Sequence, residues 1–284
     1  MNRRQFFFTA GAGALTAAHA ATTGQNKRAR LAVSSWSFHT LFTKTRDENA
    51  PKLDKPLDIL DFPEMIADRY HIHNLEIVVP HFASTEPSYI REFRTRLEKA
   101  HSKLINIPVD IDWLWDKPGL SAADPKEREK AIAAYSPWIG LARDLGARSV
   151  RCDPGKINPA DLAPTIASYK TLAAEGKSKG IYVIVENHGG VGSEHPEELT
   201  KILQAAGSYA GTLPDFANFP DQATRERGLK MLFPFAKTLC HCRDIAPDAT
   251  GKEAKFDLAA CVKISKNAGY KGLYSVEFEG SEDP

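Results

Sequence analysis

The chain has 284 residues, 42% of them hydrophobic and 26% charged, with a formal net charge of +1. That is ordinary globular composition with apolar material for one large core. A near-neutral chain with no basic stripe, no interleaved aromatics and no Gly-rich phosphate loop points away from nucleic acid and from nucleotide-binding folds.

In chain order, the first segment is MNRRQFFFTAGAGALTAAHA, residues 1–20. Arg3-Arg4 precede a short apolar run that ends Ala18-His19-Ala20, and this is similar to a twin-arginine export signal with cleavage after Ala20. The apolar run is shorter than the roughly 20 residues of a membrane span, so no stable membrane anchor is expected. The expectation is an exported, periplasmic protein that uses the twin-arginine export machinery, with residues 21–284 as one domain. Cys152, Cys240, Cys242 and Cys261 read as free thiols, because a chain this long does not need stapling.

Eight runs predict strands: 31–38, 74–79, 103–110, 149–153, 181–187, 210–216, 238–244 and 272–279. Helical stretches lie between them. Asp124-Pro125 and Asn158-Pro159 read as helix starts, Gly180 and Gly269 as helix ends, and Pro137 as a kink or break. Apolar strands alternating with amphipathic helices predict a parallel sheet covered by helices, and eight units in about 250 residues predict a (β/α)8 TIM barrel with no eighth helix. Two long connections, 40–57 and 111–120, follow strands and read as binding walls; the second carries Trp113 and Trp115.

The ends of the last four predicted strands carry the chemistry. Glu186, Asp215, His241 and Glu277 are separated by 29, 26 and 36 residues, each close to the roughly 31 of one βα unit. Equal positions on successive parallel strands meet at one rim. Three carboxylates there repel one another unless a cation sits among them, so a single divalent metal is expected on these four residues. Oxygen donors with one imidazole and no thiolate favour Mn2+, with Mg2+, Co2+ or Zn2+ as alternatives. With His241 pointing inward, Cys240 and Cys242 point toward the helices, which excludes CHC as a zinc motif.

VENHGG, DFANF, HCRD and VEFEG, in this order and spacing, resemble the sugar phosphate isomerase/epimerase superfamily of xylose-isomerase-like barrels. That group includes ketose 3-epimerases, hydroxypyruvate isomerase and inosose dehydratase, with endonuclease IV as a distant cousin. The resemblance implies Glu186, Asp215, His241 and Glu277 as metal ligands, with Glu186 and Glu277 also the catalytic acid/base pair. Substrate-binding candidates are His188, Asn218 and Arg243, just past the ligands, with Glu76, Trp36 and Trp113 on the pocket wall. Ketose 3-epimerases usually carry histidine where this chain has Asn218, which sets that substrate class apart. Glu279 shares a face with Glu277 and is the rival ligand. The expected function is isomerisation or epimerisation of a keto-sugar by proton transfer through an enediolate. The alternatives are a metal-dependent lyase or dehydratase on a keto-sugar, inosose or 3-keto-glycoside, and a sugar-binding protein without turnover. The sequence is compatible with a homo-oligomer.

Overall fold

The computed structural model describes residues 27–114, 116–243, 245–247 and 253–279. The twin-arginine segment and Trp115 lie outside the described residues. Eight parallel strands, one for each predicted run, form the barrel: β1 (Leu31–Ser34), β2 (Asn74–Glu76), β3 (Lys103–Val109), β4 (Ser149–Cys152), β5 (Tyr182–Glu186), β6 (Ala210–Leu213), β7 (Leu239–Cys242) and, after a hairpin, β10 (Leu273–Val276). The hydrogen-bonded order is β6-β5-β4-β3-β2-β1-β10-β7. Closure between β6 and β7 rests on parallel bridges Thr212–Ala236 and Asp215–His241. There His241 N–H donates to Pro214 O at 3.0 Å and Phe216 N–H to His241 O at 3.3 Å. The hairpin β8 (Ile245–Pro247) with β9 (Glu253–Lys255) is antiparallel and stands outside the barrel sheet.

The helices are α1 (Phe62–Tyr70), α2 (Pro87–Lys99), α3 (Pro125–Asp144), α4 (Ala163–Lys179), α5 (Gly190–Glu194), α6 (Pro196–Ala206), α7 (Gln222–Leu232) and α8 (Leu258–Asn267). Among the described residues none follows β10. Helix α6 shows how the outer ring attaches: Leu199, Ile202, Leu203 and Ala206 recur at helical spacing and are all buried. The expected start of α3 is found, with Asp124 accepting from Lys126 N–H at 3.0 Å. Pro137 does not break this helix. It sits on the solvent face with Ala133, so the carbonyl that loses its helical partner belongs to an exposed residue rather than to the core.

Several boundaries differ from the sequence reading; β6 and β10 stop at Leu213 and Val276, just short of Asp215 and Glu277. Helix α4 begins at Ala163 rather than at Asn158, because Asn158 and Asp161 accept from Ala160 and Ala163 N–H at 3.1 Å each and hold the segment in side-chain-closed turns. Strand β1 stops at Ser34, whose hydroxyl accepts from Trp36 N–H at 3.2 Å and starts a 3-10 segment, Ser35–Leu41. Strand β2 likewise gives way to a short turn at Val79–His81. Gly180 and Gly269 end their helices with φ of 73°, as their positions predict.

Ile184, Leu213 and Leu239 are buried in one apolar cluster with Ile105. They precede Glu186, Asp215 and His241 by two residues, so strand alternation lays an apolar floor directly beneath those polar side chains. A larger cluster, including Phe62, Leu75, Ile107, Leu172, Val183, Leu199 and Leu229, fills the space between strands and helices.

Candidate metal centre

The four strand-end residues come together. One donor atom from each of Glu186, Asp215, His241 and Glu277 lies within 4.8 Å of every other, and all four residues are buried. His241 is the hub. Its Nδ1 stands 3.1 Å from Glu186 Oε1, 3.0 Å from Glu277 Oε2 and 3.5 Å from Asp215 Oδ2. Its Nε2 stands 3.0 Å from Glu76 Oε2.

One Nδ1 position cannot carry enough hydrogens to satisfy three carboxylates, whereas a divalent cation placed among them serves all three and the nitrogen lone pair at once. Glu76, behind the ring, is placed to accept an Nε2 hydrogen, and with an ion bound that would leave Nδ1 as the ligand atom, the usual outer support of a metal-bound histidine. The donor set therefore fits a divalent ion, with oxygen-rich character.

Electrostatics follow from this crowding. Burial pushes Glu277 above the ordinary carboxylate range; His241 opposes that shift and Glu186 adds to it. Burial pushes Glu186 the same way, but His241 and Arg151 outweigh it and hold it well below. Glu76 is also lowered, since His241, Asn106 and Ser275 together overcome its desolvation. Burial disfavours a charged imidazole, yet Glu277, Glu76 and Glu186 raise His241 well above its ordinary value. Without an ion, the imidazole offsets the carboxylates together with Arg151 beside Glu186 and Arg243 beside Asp215.

Secondary contacts fix each donor. Ser34 Oγ–H donates to Glu277 Oε1 at 3.2 Å. Asp215 Oδ1 accepts from Ala217 N–H at 2.5 Å and Asn218 N–H at 3.1 Å, leaving Oδ2 toward the site. The backbone N–H of Asp215 donates to Asn187 Oδ1 at 2.8 Å, which ties the end of β6 to that of β5.

The sequence matches the family described as xylose isomerase-like TIM barrel over residues 73–284. The chain belongs to this family. Among solved structures, the IolI protein with a bound zinc atom aligns at 16% identity and TM-score 0.66, covering 88% of each chain. A xylose isomerase-like TIM barrel protein from Mycobacterium smegmatis in complex with magnesium aligns at 17% identity and TM-score 0.64, covering 89% of this chain and 91% of that one. L-ribulose 3-epimerase aligns at 14% identity and TM-score 0.65, covering 89% and 82%. No curated protein matches the sequence.

Within this xylose isomerase-like barrel, the other sequence candidates divide. Trp36, His188, Arg243, Glu277 and Glu279 line a cleft of about 980 Å3 over the four converging residues, joined by Trp138, Phe82 and Arg151. Asn218 Nδ2–H donates to Glu186 Oε1 at 3.2 Å, and Arg243 donates to Asn218 Oδ1 at 2.7 Å and Asp215 Oδ2 at 2.9 Å. Glu279 accepts from Trp36 Nε1–H at 2.8 Å and pairs with Arg243. With its side chain 45% exposed, it sits at the rim while Glu277 faces His241.

Two candidates are corrected. Glu76 is 0% exposed and does not line the cleft; it lies beneath His241, where Asn106 Nδ2–H and Ser275 Oγ–H also donate to it, each at 2.7 Å. Trp113 is 46% exposed and takes the Lys130 ammonium 4.6 Å from its ring centroid, outside the cleft lining. Its ring is covered by a helix cation, not by the barrel mouth.

Arg151 is the residue that strand-end spacing missed. From β4 it reaches Glu186 with one guanidinium nitrogen and Asp110 with the other, almost wholly buried. A charged residue inside the apolar run SVRC was the available signal, since such a group needs a buried partner. The four cysteines form no disulfide with one another, and Cys240 is buried away from the site with its thiol directed at Leu273 O, 3.6 Å away.

Proposed function

We propose that this protein is a divalent-metal-dependent isomerase or epimerase of a keto-sugar, with Mn2+ the favoured ion. The observation that carries this reading is the convergence of Glu186, Asp215 and Glu277 carboxylate oxygens on Nδ1 of His241 within 3.5 Å. Glu186, Asp215, His241 and Glu277 would hold the ion. Bound there, it would polarise a carbonyl and hydroxyl of the sugar and offset the negative charge that develops when the adjacent carbon loses a proton.

The remaining chemistry belongs to the side chains. Glu186, braced by Arg151, and Glu277 are the two carboxylates placed to take a proton from one face of the sugar and return one on the other. Trp36, Phe82 and Trp138 give the cleft an aromatic wall that suits the C–H faces of a sugar ring. His188, Asn218 and Arg243 supply donors for its hydroxyls or for a carboxylate. Solved structures of the same fold include L-ribulose 3-epimerase and a D-tagatose 3-epimerase-like protein, which supports this chemistry for the family.

The test is to assay keto-sugars in deuterated water before and after stripping and restoring metal, with elemental analysis of the purified protein. Solvent deuterium in recovered sugar, lost on stripping and regained with Mn2+, is the expected result. Release of water or an aglycone without exchange would replace this reading by the lyase. We also propose export through the twin-arginine machinery, with the mature chain beginning near Ala21. An Arg3→Lys, Arg4→Lys double variant retained in the cytoplasm is the expected outcome; unchanged export would overturn it.

A further inference from the structure

The cleft over the metal ligands continues into a second lobe. A cavity of about 570 Å3 opens between the loop after β3 and the segment leading into α5, bounded by Leu114, Lys117, Gly155, Ile157 and Val191. It meets the first lobe at Glu186, His188, Asp110 and Ile111, which line both. Each lobe lies within the ~300–1,000 Å3 typical of a site that encloses an entire small ligand. One monosaccharide engaged on the metal ligands therefore leaves the second lobe unfilled.

The lining of that lobe differs from the first. Among the described residues it has no tryptophan; instead Asp116, Lys117, Asp153, Lys156 and His188 stand beside Ile111, Leu114, Ile157 and Val191. Polar groups of both signs beside apolar patches match a sugar ring, which carries hydroxyls on its edge and C–H groups on its faces, better than a flat aromatic or an anion.

Backbone shape keeps the lobe open. Gly189 and Gly190 have φ of 73° and 50°, and a Cβ on either would meet nothing within 4 Å, so the chain turns beside open space here. Across the lobe, Gly155 has φ of 71° and packs so closely that a Cβ would stand 2.2 Å from Pro118 O. That contact pins the Lys117–Pro118 turn to the loop after β4 and gives the wall a fixed position.

We propose that the substrate is a keto-sugar joined to a second sugar unit, the keto unit lying over Glu186 and Glu277 and the second unit running past His188 into the lobe bounded by Leu114 and Val191. This deepens, and rests on, the keto-sugar reading of the same site.

Binding separates the two claims. The manganese-loaded protein is titrated calorimetrically with the keto-disaccharides lactulose, turanose and palatinose, and with fructose and tagatose. At least one disaccharide is expected to bind tenfold or more tighter than either monosaccharide. Val191→Trp, which fills the lobe, is expected to bring that disaccharide down to monosaccharide affinity, while circular dichroism shows the fold retained. Equal affinities across the panel would overturn the proposal, as would a disaccharide preference that survives Val191→Trp and a second filling variant, Leu114→Trp. Tight disaccharide binding without deuterium exchange would leave the two-unit site standing and remove the isomerase reading instead.

Discussion

Glu76 Oε2 stands 3.0 Å from His241 Nε2, on the far side of the imidazole from the three carboxylates that face Nδ1. A carboxylate in that place chooses the tautomer. With Nε2 protonated toward Glu76, Nδ1 presents its lone pair to the site. Glu76→Gln keeps the shape but offers a weaker, neutral acceptor. Manganese affinity measured by titration calorimetry is expected to fall about 10–100-fold, with little change in secondary structure.

Glu277→Gln removes a ligand oxygen's charge and a proton carrier together. Turnover is expected to fall by at least about 100-fold, the usual scale for losing a positioned acid or base, with weaker metal retention on gel filtration. Cys240→Ser serves as the control, because its thiol faces Leu273 O rather than the site, and activity is expected to stay within about twofold of the unaltered protein.

Arg151 joins Glu186 to Asp110, and its side chain is only 7% exposed. Arg151→Met leaves a buried carboxylate without its partner, a change that costs about 3–5 kcal/mol in comparable buried pairs. Urea unfolding of the metal-free protein measures this. Arg151→Lys is expected to recover little, since one ammonium cannot hold two carboxylates in the fork geometry of a guanidinium.

His81 gives a pH signature of stability away from the four-residue cluster. Burial, together with the nearby charges of His39 and Lys44, lowers it to about 3. Its ring stacks 3.7 Å from Phe42, and its nitrogens meet Ser35 Oγ and Thr45 Oγ1 at 2.9 Å each. Below about pH 6.5 the unfolded chain takes up a proton that the folded one refuses. Stability from this residue is therefore full above about pH 6.5 and declines as pH falls toward 3. His81→Asn is expected to lower the urea midpoint at pH 7 and to flatten its fall between pH 7 and pH 4.5; parallel curves for both proteins would refute this.

The barrel, its strand count and the four convergent residues were legible in the one-dimensional pattern. Continuous apolar runs such as YVIV can be satisfied only between two layers, and a polar residue closing each run at near-constant intervals returns to the same rim whatever the loops do. Glu279 illustrates the boundary of such reasoning. Alternation puts it on the face of Glu277, and only the approach of Trp36 and Arg243 from the segments after β1 and β7 places it at the rim.

What the sequence by itself determined was which strand ends carry charge, because period and spacing are local properties of the chain. Tertiary structure alone decided that Glu76 lies under His241, that Arg151 spans Asp110 and Glu186, that Trp113 turns outward beneath Lys130, and that two lobes meet at His188. Each of these pairs residues far apart in the chain or on different loops. Their partners are set by how strands close and helices pack, and no local periodicity encodes that closure.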